Sequence, residues 1–493
     1  MITRRQFLKL TAAAVLPWGC SWSDRHPSGT VLNDVHSGLN PTTVRDTVAV
    51  KSVQDILWLL ERAARAGQSV SVAGGRHAMG AQQFGTDTVH VDTRSFNRVL
   101  NFDAATGLIE VEAGLQWPEL IRATLAMQEG AARQWGIVQK QTGADRLSLG
   151  GALAANIHGR GLRLKPFVGD IESFKLVTAE GQVVACSRAQ RPELFKLAVG
   201  GYGLFGIVSS VTLRLSPRQK LQRVVELVGI DDVMQRFEQR IRDGFLFGDC
   251  QFAIDPASED FLRRGIFSCY RPVDPGTPIP EGQREIAEEQ WLRLLYLAHA
   301  DKTRAFDVYA NEYLATHGQL YWSDTHQLSY YPDGYHRGLD RKLGAASAGS
   351  EMISELYVPR AELAAFFEDM REDFRRHRVE VIYGTIRLIE RDDETFLAWA
   401  KQPWACTVLN LHVSHNPQGI EQAAAAFRRL IDLARKRGGS YFLTYHKWAG
   451  REQVEACYPQ LPEFLKLKRR FDPRERFQSD WYRHYRTLFA DKV

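Results

Sequence analysis

The segment LGGALAANIHGRG, residues 149–161, carries the strongest fold signal in the sequence. Its small side chains would let the backbone come within contact distance of a flat ligand, because no bulky group stands between them. Two similar loops lie elsewhere in the chain, GGRHAMG at 74–80 and VGGYGLFG at 199–206. Each loop lies beside a predicted strand. Together, the three loops suit a long cofactor that lies along one domain.

The patterns between these loops predict an α+β unit. Apolar residues at helical spacing predict helices that begin near residues 53 and 117, and a third helix is predicted at 192–198. Alternating and β-branched runs predict strands at 69–72, 89–92, 108–111, 173–177, 183–185 and 207–215. The order of helix, strand, glycine loop, strands and helix in the N-terminal region indicates this α+β unit.

One dinucleotide fingerprint in the third loop has to be rejected. Gly201, Gly203 and Gly206 match the GxGxxG spacing. In a Rossmann fold that loop follows a strand and opens a helix. Here a helix precedes the glycines and a strand follows them. A nicotinamide-dependent dehydrogenase therefore remains only an alternative.

Composition excludes several classes of protein. The 493 residues allow about two to four domains. A net charge of +5 over that length is too dilute for a dedicated nucleic-acid binder. No run of about 20 apolar residues is present, which excludes a multi-span membrane protein. Six cysteines without a CxxC pair argue against a zinc ribbon or a disulfide scaffold.

The N-terminus resembles an export signal. Arg4 and Arg5 precede Phe7 and an apolar run at 10–18, the pattern of a twin-arginine signal peptide. Residues 1–30 are therefore predicted to be signal peptide and linker, and the protein to be periplasmic or otherwise extracytoplasmic. Peripheral membrane association is expected only if Cys20 is lipidated. Twin-arginine export carries folded proteins, which suits a cofactor loaded before export.

Four motifs in one order identify a family resemblance. The three glycine loops and FDPRERFQSD at 471–480 resemble the vanillyl-alcohol-oxidase superfamily of FAD-linked oxidoreductases. Within it, the chain is most similar to the decaprenylphosphoryl ribose oxidases and the aldonolactone and alditol oxidases. The resemblance implies an α+β fold with a two-subdomain FAD-binding domain of the PCMH type at 38–217. A mixed α/β substrate-binding domain at 218–440 would follow, and a C-terminal segment at 441–493 would close the active site and return to the FAD domain.

The resemblance also implies FAD as the cofactor and residues that bind it. Backbone groups of the first loop would hold the pyrophosphate: Ala73, Gly74, Gly75, Arg76, His77, Ala78, Gly80 and Gln82. The other predicted cofactor contacts are Thr142, Gly143, Gly150, Gly151, Ala154, His158, Gly206, Ile207, Thr444 and Lys447. In alditol and aldonolactone oxidases the histidine matching His77 carries the flavin covalently. In decaprenylphosphoryl ribose oxidases the flavin is not covalently bound, and the sequence leaves both modes open.

Five residues are the catalytic candidates: Lys447, His158, Arg387, Glu355 and His412. Oxidation of an alcohol needs a base within reach of the hydroxyl, and the resemblance favours His158 and Lys447 as that pair. Arg387 belongs to a motif whose usual glutamate is replaced by Thr385, which weakens a lactone or alditol assignment. Strand alternation puts His412 and His415 on opposite faces, so no metal site is predicted.

These inferences predict an exported FAD-linked oxidoreductase. It would oxidise a hydroxyl of a sugar, polyol, lactone or sugar glycoside by hydride transfer to flavin. Oxygen, a quinone or another carrier would accept the electrons, and no nucleic-acid partner is expected. A second alternative is a non-catalytic carbohydrate-binding protein that kept the fold. A flavin spectrum bleached by a sugar alcohol would distinguish an enzyme from that alternative.

Overall fold

The computed structural model describes residues 29–329, 332 and 334–493. The predicted signal peptide and Cys20 lie outside the described residues. The chain is α+β, as the sequence predicts. None of the helices in the described ranges has both the length and the apolarity needed to cross a membrane.

In the described part of the first half, short strands form four sheets with helices packed against them. Its strands are β1 Thr30–Leu32, β2 Thr42–Val44, β3 Asp46–Ala49, β4 Val70–Ala73, β5 Val89–Asp92, β6 Val99–Asp103, β7 Leu108–Glu112, β8 Trp135–Gly136, β9 Ile171–Val177, β10 Val183–Ser187, β11 Ile207–Arg214 and β12 Ser216–Pro217. Its helices are α1 Val53–Arg65, α2 Trp117–Met127, α3 Leu149–Ala155 and α4 Pro192–Ala198. Strands β3, β5 and β4 form a parallel sheet, and β10, β9, β11, β7 and β6 form an antiparallel one.

The small-residue segment forms α3, a helix that the sequence did not predict. Ser148 caps its N-terminus by accepting a hydrogen bond from the Gly151 N–H at 3.3 Å. Asn156 ends the helix in the left-handed conformation (φ 49°), and its side chain is bonded to Asp392 at 2.9 Å. A Cβ at Gly150 would lie 2.8 Å from the Cβ of Ala113. Glycine is therefore needed where α3 packs on the end of β7.

The GxGxxG segment lies between α4 and β11. The order is helix, glycines, strand, which is the arrangement that led us to reject a Rossmann loop. Gly203 and Gly206 have positive φ angles of 73° and 150°. These glycines thus serve a turn that enters a strand.

The second half of the chain is built on one eight-stranded sheet. Its strands are β13 Lys220–Gly229, β14 Phe247–Phe252, β15 Arg264–Pro272, β16 Leu320–Trp322, β17 Gly349–Pro359, β18 Val381–Ile389, β19 Trp404–Ser414 and β20 Ser440–Tyr441. The spatial order is β16-β13-β15-β14-β18-β19-β17-β20, and the paired strands are antiparallel. Its helices are α5 Val233–Arg242, α6 Glu288–Ala300, α7 Lys302–Leu314, α8 His336–Leu343, α9 Leu363–His377, α10 Pro417–Lys436, α11 Arg451–Cys457, α12 Leu461–Phe471 and α13 Asp480–Leu488.

Two local predictions in this half differ from the structure. The sequence pattern predicts a helix over residues 283–298, whereas α6 runs from Glu288 to Ala300. The family resemblance also implies a strand over residues 441–447, but the strand ends at Tyr441. The chain then turns, with the Tyr445 N–H 3.4 Å from the Phe442 carbonyl oxygen. The turn changes which side chains of this segment face the interior.

The C-terminal segment packs against the first half of the chain. Phe477 pairs with Val70 in a parallel bridge. The Val70 N–H donates to the Arg476 carbonyl at 2.7 Å, and the Gln478 N–H donates to the Val70 carbonyl at 2.9 Å. Phe477 is also part of the buried apolar cluster between α1 and the parallel sheet. The chain thus ends beside the strands from which it began.

A buried histidine in the parallel sheet predicts loss of stability in acid. Burial lowers the pKa of His90 from 6.5 to about 4. Between these two pH values only the unfolded chain takes up a proton at this site, so stability is complete above pH 6.5 and falls as the pH falls through the window. The difference amounts to about 3 kcal/mol at most.

We expect His90→Gln to make the free energy of unfolding less dependent on pH between 6.5 and 4, measured by urea denaturation at several pH values. His377→Gln is the control, because the His377 side chain is 41% exposed. Equal pH slopes for the His90 variant and the parent would contradict the assignment.

Candidate active site

A large cavity lies between the two halves of the chain, with a volume of about 1040 Å³. Its walls come from the three glycine loops on one side and from the eight-stranded sheet on the other. The predicted cofactor residues that line it are Ala73, Gly74, Gly75, Arg76, His77, Ala78, Gln82, Thr142, Gly143, Gly150, Gly151, Ala154, His158, Gly206, Ile207 and Thr444. The volume is at the upper end of what ligand sites offer, which suits a dinucleotide together with a small substrate.

The first glycine loop has the geometry of an anion site. Arg76 adopts a left-handed conformation (φ 58°) three residues after the last residue of strand β4, Ala73. Within the described residues, the backbone N–H groups of Gly75, Arg76 and Ala78 form no hydrogen bond. Successive N–H groups around a left-handed residue form a concave nest for phosphate oxygens. This loop therefore fits the pyrophosphate of FAD.

Gly80 supports the loop and does not line the cavity. Its N–H donates to Gln82 Oε1 at 2.9 Å. A Cβ at Gly80 would lie 3.0 Å from the Tyr445 carbonyl oxygen. The Gln82 amide in turn donates to the Thr444 carbonyl at 2.7 Å. Glycine at this position thus lets the first loop pack against the turn that carries Thr444 and Tyr445.

Glu355 lies at the centre of the polar wall of the cavity. Its side chain is buried on β17 and its Oε1 accepts hydrogen bonds from the Tyr357 hydroxyl at 2.6 Å and from the Cys406 thiol at 3.4 Å. Oε1 also lies 2.6 Å from His158 Nε2. Oε2 accepts the Tyr445 hydroxyl at 3.2 Å, and no other donor among the described residues reaches it. Oε2 is therefore the oxygen that can accept a further hydrogen bond from a ligand hydroxyl.

The hydrogen bonds of His158 show that it shares one proton with Glu355. His158 Nδ1 lies 3.0 Å from the Gly159 carbonyl, which can only accept, so Nδ1 carries a hydrogen. One further proton then lies between Nε2 and Glu355. Burial raises the pKa of Glu355, but the His158 charge and the hydrogen bonds from His158 and Tyr357 outweigh it, and the resulting pKa is below the usual value. Glu355 is thus held as the carboxylate of this pair, with a shared proton between its Oε1 and His158 Nε2.

Besides His326 Nε2, four buried polar atoms near strands β14 and β18 lack hydrogen-bond partners among the described residues. They belong to residues that line the cavity: Arg160 Nε, Asp249 Oδ1, Gln251 Oε1 and Arg387 Nε. Buried polar groups without partners are rare in folded proteins and cost free energy. Two donors and two acceptors in one cavity suit a ligand that has several hydroxyl or carbonyl groups.

Aromatic rings surround a buried cation at the far end of the cavity. The Arg223 guanidinium lies 4.6 Å from the ring centre of Tyr321 and 5.2 Å from that of Tyr313. Arg223 also donates to the Tyr270 hydroxyl at 2.9 Å and to Thr316 Oγ1 at 2.9 Å. Tyr321 belongs to an aromatic and polar segment, residues 321–336, and it lines the cavity.

Two catalytic candidates from the sequence lie outside the cavity. Lys447 follows the turn after β20. Its ammonium group interacts electrostatically with Asp480 and His484 on α13. The structure therefore does not place Lys447 with His158, which pairs with Glu355 instead. His412 lies at the end of β19, beyond the cavity wall, with its Nδ1 3.9 Å from Glu351. Strand alternation alone could not locate either side chain.

Several residues of the site carried no signal in the sequence. Tyr445 was overlooked because a continuous strand was assumed where the chain turns. Lys140 is fully buried, with its Nζ 2.6 Å from Asp145 Oδ1 and 3.1 Å from the Gln327 carbonyl. It joins the 140–145 segment to the 325–329 segment at the cavity mouth. No local pattern distinguishes such a lysine from a solvated one.

Comparison with known proteins agrees with this geometry. Residues 45–187 match the family described as FAD binding domain. L-gulono-1,4-lactone dehydrogenase of Mycobacterium tuberculosis is 24% identical over 433 residues, which cover 88% of this chain and 94% of that protein. The chain is an FAD-dependent oxidoreductase.

Other relatives of this oxidoreductase agree with the family resemblance. Mitochondrial L-galactono-1,4-lactone dehydrogenase of Arabidopsis thaliana is 22% identical over 452 residues, 78% of this chain and 69% of that protein. Decaprenylphosphoryl-beta-D-ribose oxidase of Mycolicibacterium smegmatis is 28% identical over 185 residues, 37% of this chain and 39% of that protein. The predicted superfamily, its PCMH-type FAD-binding domain and the FAD cofactor are thereby confirmed.

Proposed function

We propose that this oxidoreductase oxidises a hydroxyl group of a sugar-like lactone, polyol, sugar or sugar glycoside. The observation that carries the proposal is the juxtaposition, in one cavity, of the predicted FAD cradle, the His158–Glu355 pair and the four unpartnered polar atoms. An FAD site alone would not suggest a polyhydroxylated substrate. Unpartnered donors and acceptors in the same cavity, most of them on the strands β14 and β18 of the eight-stranded sheet, do suggest one.

Bound FAD supplies the hydride acceptor for a two-electron oxidation. The chain's own residues handle the proton and the charge. Glu355 Oε2 accepts the proton of the substrate hydroxyl as the carbon loses its hydride, so a C–H and an O–H bond break while the C=O bond forms. His158 stays hydrogen-bonded to Oε1 and stabilises the carboxylate before the transfer. The Arg387 guanidinium offers positive charge to oxygen that gains negative charge in the transition state.

Tyr357 and Tyr445 keep this carboxylate in place. Burial raises the pKa of both phenols, so each remains a donor at neutral pH. Their hydrogen bonds reach different oxygens of Glu355, which fixes the plane of the carboxylate. A base held in this way requires little reorganisation when the substrate binds.

The relatives with the longest matches support a lactone as the first substrate to test. Both lactone dehydrogenases are named for 1,4-lactones of sugar acids. The test is anaerobic mixing of the flavin-loaded protein with L-gulono-1,4-lactone, L-galactono-1,4-lactone, and a panel of alditols and sugars. Bleaching of the visible flavin band by at least one of them supports the proposal. A band unchanged by every compound, in protein that dithionite still reduces, would refute it.

We propose oxygen, a quinone or another carrier as the electron acceptor. Reduced protein prepared in the same experiment is mixed with oxygen and with a soluble quinone. Return of the oxidised flavin band identifies the acceptor by its rate. Failure with oxygen, quinone and artificial carriers alike would contradict this part of the proposal.

We also propose that the protein is exported by the twin-arginine route. The support is the sequence of residues 1–18, with Arg4 and Arg5 before an apolar run. We expect Arg4→Lys combined with Arg5→Lys to keep the protein in the cytoplasm with flavin bound, measured by cell fractionation. Normal export of the double variant would contradict the route, whereas a variant such as Lys9→Gln should still be exported.

A further inference from the structure

A second cluster of ionisable side chains lies beyond the cavity wall, where α6, β17 and β19 meet. Its members are His299 on α6, Glu351 on β17 and His412 on β19. His299 Nε2 lies 3.0 Å from Glu351 Oε1, and His412 Nδ1 lies 3.9 Å from the same oxygen. One nitrogen or oxygen from each residue lies within 4.8 Å of those of the other two. Two imidazoles therefore face one carboxylate oxygen.

The strand register brings two of these residues together. Glu351 and His412 are direct partners in the β17–β19 ladder, so their side chains leave the sheet on the same face. A Cβ at position 349 would lie 2.5 Å from His412 Cε1, so the glycine there leaves room for the imidazole ring. The His299 ring then approaches the His412 ring edge-on, with their centres 5.0 Å apart.

The other oxygen of Glu351 has partners of its own. Oε2 accepts a hydrogen bond from the Tyr335 hydroxyl and lies 3.0 Å from His336 Nδ1. The carboxylate is therefore fixed in orientation, with Oε1 directed to His299 and His412. Metal-binding carboxylates characteristically have such hydrogen bonds on their outer side.

Burial makes this arrangement costly without a further positive charge. The side chains of Glu351 and His299 are only 3% and 6% exposed, and that of His412 is 21% exposed. His412 Nδ1 is buried and has no hydrogen-bond partner within the described part of the chain. A nitrogen lone pair and a carboxylate oxygen that point into one buried space are what a metal cation requires.

We propose that His299, Glu351 and His412 bind one divalent transition-metal ion of the zinc class. Nitrogen and oxygen ligands lie about 2.0–2.2 Å from zinc, which puts neighbouring donors about 3.4 Å apart in a tetrahedron. Glu351 Oε1 lies 3.0 Å from His299 Nε2 and 3.9 Å from His412 Nδ1, and these two distances lie on either side of that value. Two histidines and one carboxylate leave at least one position open for water or a ligand.

The ion joins one helix to two strands of the substrate-binding sheet. Ala298 precedes one ligand, Asn410 lies two residues before another, and both line the large cavity. The sequence-based expectation of no metal compared only His412 with His415. His415 does lie on the other face of β19, with its Nε2 2.8 Å from Ser350 Oγ. The partners of His412 come from β17 and α6, which a local pattern does not reveal.

A similar triad in the active site is a poorer metal site. His158, Glu355 and Cys406 also lie close together. However, Glu355 Oε1 already accepts the Tyr357 hydroxyl and is bonded to His158. Burial raises the pKa of Cys406 well above its usual value, which keeps the thiol protonated. That triad therefore retains its protons and its hydrogen bonds.

Zinc affinity of the flavin-loaded, full-length protein tests the proposal. Protein freed of metal by a chelator is titrated with Zn²⁺ in competition with a chromogenic zinc chelator. We expect one equivalent to bind. Because loss of an outer-shell partner costs about 10–100-fold in metal affinity, loss of a ligand in His299→Ala or His412→Ala should cost more than about 100-fold. Tyr335→Phe should weaken binding by about 10-fold.

His415→Ala is the matched control, because it removes a histidine from the same strand end but from the opposite face. We expect it to leave zinc affinity unchanged. Glu351→Gln keeps a group of the same shape but removes the charge, and it should weaken zinc as the histidine variants do. Absence of zinc uptake by the parent protein, or equal losses in the His412 and His415 variants, would overturn the proposal. The flavin spectrum, recorded on each sample, shows that the fold is intact and tests nothing about substrate oxidation.

Discussion

Replacement of Glu355 by glutamine is expected to slow flavin reduction by substrate about 10³-fold while flavin stays bound, as for loss of a general acid–base group. Glutamine has the shape of glutamate, and its single carbonyl oxygen still accepts one of the two hydrogen bonds that Tyr357 and Tyr445 donate to different oxygens of Glu355. It cannot take a proton from the substrate hydroxyl. It also removes the negative charge from the group that is hydrogen-bonded to His158 Nε2. The rate of bleaching after anaerobic stopped-flow mixing, at saturating substrate, measures the effect.

The pH dependence of the same rate distinguishes a base from a structural residue. The pKa of Glu355 lies below the usual value, so the carboxylate remains ionised through neutral and mildly acidic pH. The parent rate should therefore fall only when the pH falls below the usual glutamate range, because protonation removes the base. In Glu355→Gln this acidic limb should disappear. A variant that is slow but keeps the limb would assign the base to another group.

Lys447→Met is the matched control for Glu355→Gln. The sequence made Lys447 a catalytic candidate, but its side chain lies near Asp480 and outside the cavity. We expect the methionine variant to reduce its flavin at the parent rate. If Lys447→Met were slow and Glu355→Gln normal, the catalytic assignment drawn from the structure would be wrong and the one drawn from the sequence right.

The contrast between these two residues shows what the sequence could predict. The glycine loops, α4 and β11 follow from local composition and periodicity, so both the fold class and the FAD cradle were predictable. Lys447 was misplaced because a two-residue strand and a turn resemble a longer strand in sequence. The pairing of His158 with Glu355 joins residues 197 positions apart, and only the sheet order brings them together. Glu355 was a candidate, but its partner could not be predicted.

His412 shows the same limit in another way. Alternation correctly separated it from His415, but the cross-strand partner Glu351 depends on the β17–β19 register. His299 depends in addition on how α6 packs against the sheet. Long-range register and helix packing are set by the whole core and not by any short segment. Sites made of residues from three elements are therefore the part of a fold that a single sequence reveals least.

His77→Ala is expected to abolish the retention of flavin by the protein after acid precipitation. The parent protein should keep its flavin in the pellet after acid precipitation, and the variant should release it to the supernatant. His77 lines the cavity and belongs to the loop that forms the anion nest, next to Arg76. A covalent bond between the His77 ring and the flavin would keep the flavin attached even when acid unfolds the protein. The nest is made of backbone, so the variant should still bind FAD reversibly and be yellow before acid treatment.

His36→Gln separates a covalent link from a general effect on the loop. His36 also lines the cavity, and its ring centre lies 6.3 Å from that of His77. Substitution there disturbs the same neighbourhood but leaves the proposed attachment atom, so flavin should stay in the pellet. Release of flavin from the parent would contradict the covalent link and favour the non-covalent mode that the sequence left open. Release only from His36→Gln would place the attachment at His36. The nest explains reversible binding in every case, so only the acid step reports on the bond.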